Sequence, residues 1–508
     1  MRKKFVYGLI GASIGAVFSL GIQTYAGDVQ QVKSTSIPVK EIKTFAEVYG
    51  QIKTNYFEDT KDKDLIENAM KGMVSGLDPH SEYLNQEDLK DFSELATGKF
   101  GGLGLEIVKD NDFISIITPI EDTPAFAAGL RPNDHIIQID GVSTRGMSTI
   151  EASKKMRGDA GTSVVLTIAR KDVMRPFNVK LQRAIINVKT VKSRYFEPGI
   201  GYIRLSGFKE QTLSDFADHI RTLSKEHPLK GLILDLRNNA GGLLNSAVGV
   251  VSAFVPKNAI VVSTKGRRDT QKIILKARKS DYQDPSSVMI QEDPLAQLPE
   301  QIKKIPLTIL INAGSASASE VVTGALQDYQ RALVMGTRSF GKGSVQTVIP
   351  LSSDDGIKLT IALYFTPKGR SIQARGIVPD VEVKTKDDDL FDFRETSLSH
   401  HLSNPSSSKT EQPMVVHPTK SPQPINEKEN ERIKNKLLKE GSYNYIPDPK
   451  QDIQLRKAIE FTSHSGLWKK SLGRYIVNEK KIIAEERKTG KVTTLSGTQE
   501  KLNDAKKR

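Results

Sequence analysis

Two short segments carry residue types that together can perform acyl transfer. One is Gly314-Ser315-Ala316-Ser317-Ala318-Ser319-Glu320; the other is Gly341-Lys342-Gly343-Ser344-Val345-Gln346. A serine hydroxyl becomes a nucleophile when a neighbouring base takes its proton, and a neutral lysine can be that base. Lysine is neutral only where burial or nearby positive charge depresses its pKa. Gly341 and Gly343 let the backbone bend closely around Lys342. Gln346, four positions on, falls on the same face of an extended segment, where its amide oxygen would orient the amine. The residues alone do not choose among Ser315, Ser317 and Ser319, and Ser317-x-x-Glu320 also spells a helix capping box.

Both segments need elements to hold them. The serines follow an apolar run, Pro306 to Ile311, and open a helical pattern from Glu320 to Tyr329. A strand-to-helix turn there would offer backbone N–H groups and a positive dipole end to a developing oxyanion. The lysine stands just before a strand-like run, Val345–Leu351. Gly336-x-x-x-x-Gly341-Lys342 nearly spells a phosphate-binding loop, but Gly343 replaces the required hydroxyl residue and a strand follows instead of a helix. The glycines at 101, 102 and 104 likewise do not complete a dinucleotide fingerprint. The eight histidines (80, 135, 219, 227, 400, 401, 417 and 464) show no metal-ligand spacing, and none lies near either motif in the sequence. We expect neither metal nor cofactor.

At 508 residues the chain is long enough for several domains, and the absence of cysteine excludes disulfides, thiolate nucleophiles and cysteine zinc sites. Arg2, Lys3 and Lys4 precede an apolar run, Val6 to Ile22, and then Thr24-Tyr25-Ala26-Gly27. Residues 1–26 therefore read as a signal peptide or membrane anchor, and the chain as exported to a bacterial periplasm or cell envelope. The net charge of +14 concentrates toward the carboxyl end, where a solvated tail or contact with anionic lipid or wall polymer is expected and nucleic acid is not.

Four regions follow the leader. Residues 39–97 show helical periodicity, with Ile42, Phe45, Val48, Tyr49 and Ile52 on one stripe and an N-cap expected at Asp64. Residues 98–184 change to short strands broken by Asn, Gly and Pro, with a helix over Thr149–Met156. There, Gly101-Gly102-Leu103-Gly104-Leu105 enters a strand as a glycine-rich loop whose N–H groups would grip a carboxylate, while the strand edge and the helix hold an extended peptide. Residues 185–384 alternate strands and helices, as an α/β core does, with 267–304 read as a polar surface insertion. Residues 385–508 read as a proline-rich disordered linker and a basic tail, with a short helix at Gln451–Phe461.

Taken together, the motifs resemble the bacterial C-terminal processing peptidases, exported serine–lysine enzymes with a PDZ domain ahead of the catalytic core. The resemblance covers about Ile42 to Val383. It rests on Gly76-Leu77-Asp78-Pro79-His80-Ser81, the glycine-rich loop, Leu236-Arg237-Asn238-Asn239-Ala240-Gly241-Gly242, the serine turn, Arg338 to Gln346, Thr366 to Gln373 and Gly376 to Asp380. It implies a multidomain α+β chain: N-terminal helices, a β-rich PDZ domain, then an α/β peptidase core of the crotonase or ClpP type. It implies Ser317 as nucleophile, Lys342 as general base, Gln346 holding the lysine, and an oxyanion hole from the N–H groups of Ala318 and Gly242. It also implies protein substrates with apolar C-termini and a homodimer formed through the N-terminal helices. The need for an adaptor protein is left open. The alternative reading is a catalytically inactive PDZ scaffold of the cell envelope, with the intact Ser317, Lys342 and Gln346 standing against it.

Overall fold

The computed structural model describes residues 38–474, apart from 111, 121–122, 132, 172, 284–291, 353, 386–393 and 406–446. The expected leader at 1–26, most of the proline-rich linker and the basic tail lie outside the described residues. No helix among the described residues is long and apolar enough to cross a membrane.

The helical periodicity near the amino end becomes α1 (Val39–Asn55) and α2 (Asp62–Ser75). The second helix starts two residues before the expected Asp64 cap, with Lys61 at the cap position, which places Asp62 and Asp64 in the first turn beside the positive dipole end. The stripe on α1 meets no partner among the described residues: Val39, Ile42, Phe45 and Val48 are all exposed. A turn at 76–81 leads into β1 (Glu82–Leu84) and then α3 (Gln86–Thr97), capped by the Asn85 side chain.

The β-rich module starts with β2 (Lys99–Gly102), β3 (Leu105–Asp110) and β4 (Phe113–Pro119), followed by the short α4 (Pro124–Ala127). Then come β5 (His135–Ile139), β6 (Val142–Ser143), α5 (Thr149–Met156), β7 (Ser163–Ala169), β8 (Phe177–Gln182) and β9 (Ala184–Asn187). Helix α5 matches the expected bounds because Ser148 and Glu151 form a full capping box. The sheet order is β3-β4-β5-β7-β8, so β3 is an edge strand. Ile114, Ile136, Ile139, Leu166 and Ile168 fill its core, Leu166 and Ile168 from alternate positions and Ile136 and Ile139 across a register shift in β5.

The core runs through β10 (Val191–Phe196), β11 (Ile200–Leu205), α6 (Thr212–Glu226), β12 (Gly231–Asp235), α7 (Leu244–Ser252), β13 (Ile260–Gly266), β14 (Ile274–Lys276) and α8 (Lys279–Tyr282). It continues with β15 (Leu307–Ile311), α9 (Ala318–Asp328), β16 (Leu333–Gly336), β17 (Ser344–Pro350), β18 (Gly356–Phe365) and β19 (Val381–Glu382). One sheet, β10-β11-β12-β15-β16-β19, is parallel from β11 onward. Its central strands are continuous apolar runs because both faces are covered. Helices α6, α7 and α9 cover one face. The other is covered by α10 (Ile453–Ser463) and α11 (Ser465–Ser471), through Leu455, Ala458 and Trp468. A second sheet gathers β17, β18, β13 and β14, and β1 pairs with β18, which ties the N-terminal region to the core.

Two expectations need correction. The 267–304 span is not merely a surface insertion: β14 pairs with β13, and Ala277, Tyr282 and Ile302 are buried in the main core. Its few apolar side chains are diluted by charged neighbours, so composition hides them. The region after 462 is not wholly solvated either, since α11 buries Trp468, whose indole N–H reaches the Leu307 carbonyl at 3.0 Å.

Candidate active site

The strand–turn–helix unit β15–α9 carries the three serines, and their surroundings set them apart. Ser315 Oγ donates to the Leu236 carbonyl at 2.8 Å and accepts the Asn312 N–H at 3.0 Å. Ser319 Oγ donates to the Asn239 carbonyl at 2.8 Å. Both are fully buried ties between this turn and the 236–242 loop. Ser317 sits between them at the helix N-terminus, partly exposed, with φ +51° and ψ −113°. Such a backbone is costly for a residue with a Cβ and persists only where its surroundings enforce it.

The enforcing group is Glu320. Its fully buried carboxylate accepts four hydrogen bonds: from Ser317 N at 2.8 Å, Ser339 Oγ at 2.5 Å, Gly341 N at 2.7 Å and Lys342 N at 2.9 Å. Only half of the Ser-x-x-Glu box forms: the carboxylate takes the Ser317 N–H, while the Glu320 N–H goes to the Ser317 carbonyl at 2.8 Å and Ser317 Oγ caps nothing. The carboxylate then reaches across to the lysine loop. The same oxygen, Oε2, takes the N–H of both Ser317 and Lys342, so those two nitrogens lie within about 6 Å of each other, twice the length of a hydrogen bond. Burial pushes the Glu320 carboxyl up to about 7, outweighing the four hydrogen bonds that favour its charged form.

Lys342 lies in the 337–343 loop between β16 and β17. Burial lowers its amine pKa, and the Lys358 charge adds to that, while the carboxylates of Glu395, Glu320 and Asp78 act in the opposite direction. The flanking glycines are needed for different reasons. Gly341 has φ +100°, and a Cβ on Gly343 would stand 2.3 Å from the Gln373 backbone nitrogen. Among the described residues, Lys342 makes no side-chain hydrogen bond, either to Ser317 or to Gln346. Gln346 donates instead to Ser344 Oγ at 2.9 Å and Thr360 Oγ1 at 3.2 Å. The same-face expectation supposed an unbroken strand from 342 to 346, whereas β17 begins at Ser344 and its register shifts between Val345 and Gln346.

The 236–242 loop abuts the serine. A Cβ on Gly241 would meet that of Ser317 at 2.9 Å, and one on Gly242 would meet the Phe208 carbonyl at 2.1 Å. The Gly241 N–H is already given to Asn239 Oδ1 at 2.9 Å, and the Gly242 N–H has no partner among the described residues. Behind the loop, Asp235 and Asp452 hold the buried Arg237 guanidinium at 2.6 and 2.7 Å.

The glycine-rich loop of the β-rich module divides in two. Gly101 and Gly102 belong to β2 and pair with Ile185 and Ala184 of β9. Leu103 and Gly104 form the turn, and Leu105 opens the edge strand β3. Gly104 has φ +78°, and a Cβ there would meet Thr123 at 2.3 Å. Helix α5 packs beside β3, leaving an edge and a helix wall together.

Sequence reasoning missed three features. Glu320 was hidden behind its capping role. His80, placed near neither motif, binds Glu395 Oε2 at 2.8 Å beside the lysine loop. Asp452 lies in the short helix expected at 451–461, where nothing local marked it as the partner of Arg237. Glu320 carried a signal in its fixed offset from Ser317, and His80 one in its place within the Gly76–Ser81 motif; neither signal pointed to the partner that the fold supplies. Among the described residues no group of His, Asp or Glu could hold a metal ion.

Comparison with known proteins gives three family matches: peptidase family S41 over residues 199–383, a PDZ domain over 116–170, and the activating protease CtpB N-terminal domain over 18–88. A carboxy-terminal-processing protease of Bartonella bacilliformis is 42% identical over 387 residues, 76% of this chain and 83% of that one. A probable CtpA-like serine protease of Staphylococcus aureus is 37% identical over 66% of this chain and 64% of its own length. Among solved structures, the photosystem II D1 C-terminal processing protease is 29% identical with a TM-score of 0.39, covering 67% of this chain and 86% of that one.

Proposed function

Because this chain belongs to peptidase family S41, with the carboxy-terminal-processing proteases, we propose that it is a serine endopeptidase that cuts proteins near their C-termini with a Ser317–Lys342 dyad. The observation that carries this reading is the sorting of the three serines. Ser315 and Ser319 are committed to structure, while Ser317 is held in a strained backbone next to the lysine loop by one shared carboxylate oxygen. A folded-in scaffold without chemistry has no need of that strain.

In the proposed cycle, a substrate's terminal carboxylate docks at the Leu103–Leu105 turn, and its last residues add a strand to the β3 edge against α5. Upstream residues enter the core. Lys342 Nζ, more readily deprotonated because burial lowers its pKa, swings in its neutral form to Ser317 Oγ and takes its proton as the oxygen attacks a peptide carbonyl. The N–H groups of Ala318 and Gly242 receive the oxyanion, helped by the positive end of α9. The lysine then protonates the departing amine, and water, deprotonated by the same lysine, releases the acyl group. Gln346 has its amide oxygen available to orient the amine once Lys342 has moved.

The proposal extends to assembly and place. The exposed stripe on α1 suits a second copy of the chain, giving a homodimer, and residues 1–26 would direct export to the cell envelope.

The test is cleavage of an unfolded protein ending in apolar residues, with products mapped by mass spectrometry. Wild type should cut, Ser317→Ala and Lys342→Ala should lose at least about 10³-fold in kcat/KM, and Ser315→Ala should retain activity in proportion to its folded fraction. Cleavage that survives both dyad substitutions would overturn the Ser317–Lys342 assignment, and no cleavage above background by wild type would leave a PDZ binding protein as the surviving reading.

A further inference from the structure

Outside the dyad, one cluster of titratable groups has no assigned role although it touches the lysine loop from two distant parts of the chain. The turn at 78–81 supplies His80, whose Nε2 lies 2.8 Å from Glu395 Oε2 and 3.1 Å from Oε1. Glu395 lies in a short strap, residues 394–398, built on one 3-10 turn (Glu395–Ser397), and its side chain is 1% exposed. The strap grips the lysine loop at its front: Arg394 donates to the carbonyls of Arg338 and Ser339 at 2.9 and 2.8 Å, and the Glu395 N–H to that of Phe340 at 3.1 Å. At the back of the loop, Gln373 Nε2 donates to Glu395 Oε1 at 2.9 Å while Gln373 Oε1 accepts the Gly343 N–H at 2.9 Å. The turn itself is rigid. Buried Asp78 accepts the N–H groups of His80 and Ser81 and the hydroxyls of Ser81 and Thr360. Thr360 in turn receives Gln346 Nε2.

We propose that His80 is a positioning residue for Lys342, acting through the Glu395 carboxylate that it binds. This rests on the serine–lysine reading above. The charges facing the Lys342 amine come from four elements: Glu395 on the strap, Glu320 on α9, Asp78 on the 78–81 turn and Lys358 on β18. A carboxylate beside an amine favours the ammonium form, which cannot act as a base. Glu395 is therefore a structural necessity with a chemical cost, because it anchors the strap but opposes the deprotonation that Lys342 must undergo. His80 offsets that opposition by donating to the carboxylate and drawing its charge away from the amine. The same contact fixes the strap, so loop position and lysine basicity are set together.

The experiment is the pH dependence of kcat/KM on the apolar-tailed substrate over roughly pH 6 to 10, where the activity of a lysine base rises as it loses its proton. His80→Ala should move the rising limb to higher pH, seen as about a three- to tenfold loss near neutrality that closes at alkaline pH. Glu395→Gln, which removes the charge and keeps one acceptor oxygen for the Gln373 amide while its NH2 faces the His80 ring, should move the limb to lower pH. His80→Gln, which retains an N–H donor, should restore most of the wild-type profile. Losses by one constant factor at every pH, or profiles that superimpose on wild type, would overturn the inference. If His80→Ala does not fold, the direction of the Glu395→Gln limb decides alone. Cleavage that survives Lys342→Ala sinks the dyad and this inference with it; cleavage abolished by Lys342→Ala with an unmoved limb sinks only the inference.

Discussion

Glu320 is the residue whose substitution should report most. Four donors converge on its carboxylate, and an amide can neither accept all four nor avoid presenting N–H groups to some of them. Glu320→Gln is expected to lower kcat/KM by about tenfold or more, since misplacing Ser317 and Lys342 by a fraction of an ångström is enough. It should also change the pH dependence of stability. Because burial raises this carboxyl from 4.5 to about 7, the folded state holds its proton more tightly than the unfolded chain. The stability it contributes is fully present below about 4.5 and lost as pH rises to about 7, a slope that denaturant unfolding should show in wild type and not in the variant. Ser319→Ala should instead cost about 0.5–1.5 kcal/mol of stability, by removing one of two donors to the Asn239 carbonyl, which keeps the Ala316 N–H at 3.0 Å, and leave Ser317 in place. The serine choice was not legible in the sequence because all three share the same local pattern. What separates them is contact with residues 236–242, supplied only by the parallel sheet.

At the scale of elements, periodicity and turn chemistry did most of the work. The strands that support the serine turn, β12 and β15, are apolar runs bounded by Gly, Pro and Asn, and α5 is bracketed by its own capping box. Elements whose apolar residues are sparse, such as β14 and α8, were missed. So was the register shift at Val345/Gln346, which depends on how β17 meets β18. The lysine loop gives a sharp prediction at this scale. Gly343→Ala would force a Cβ against the Gln373 backbone, so the loop must move away from the serine. Activity should fall by about 10²-fold or more, and thermal unfolding should shift downward with it, because Thr337, Ser339, Gly341 and Gly343 of this loop are buried. Helix α1 gives another. If its exposed stripe joins two copies, Phe45→Glu should convert dimers to monomers in sedimentation velocity, with the unfolding of the core unaffected.

For the whole molecule, the sheet that carries the serine is closed from behind by residues far down the chain. Arg237 lies between Asp235 of β12 and Asp452 at the start of α10, and α10 and α11 cover Ile200, Ile233, Leu310 and Met335. Removing one partner from a buried ion cluster is costly, so Asp452→Ala should destabilise the fold by about 3 kcal/mol, measured by urea unfolding. Truncation before residue 447 should expose that apolar face and yield aggregated protein. None of this could be inferred from composition, which marks the region as linker and tail and gives no sign that 28 of its residues (447–474) return to pack on the sheet.

The His80–Glu395 contact joins residues 315 positions apart, with the nucleophile between them. A chain made from its amino end therefore owns its serine long before the strap that steadies the lysine has emerged from the ribosome. On the proposed reading, a half-made copy would lack the contact that steadies its lysine, so proteolysis would await the last quarter of synthesis.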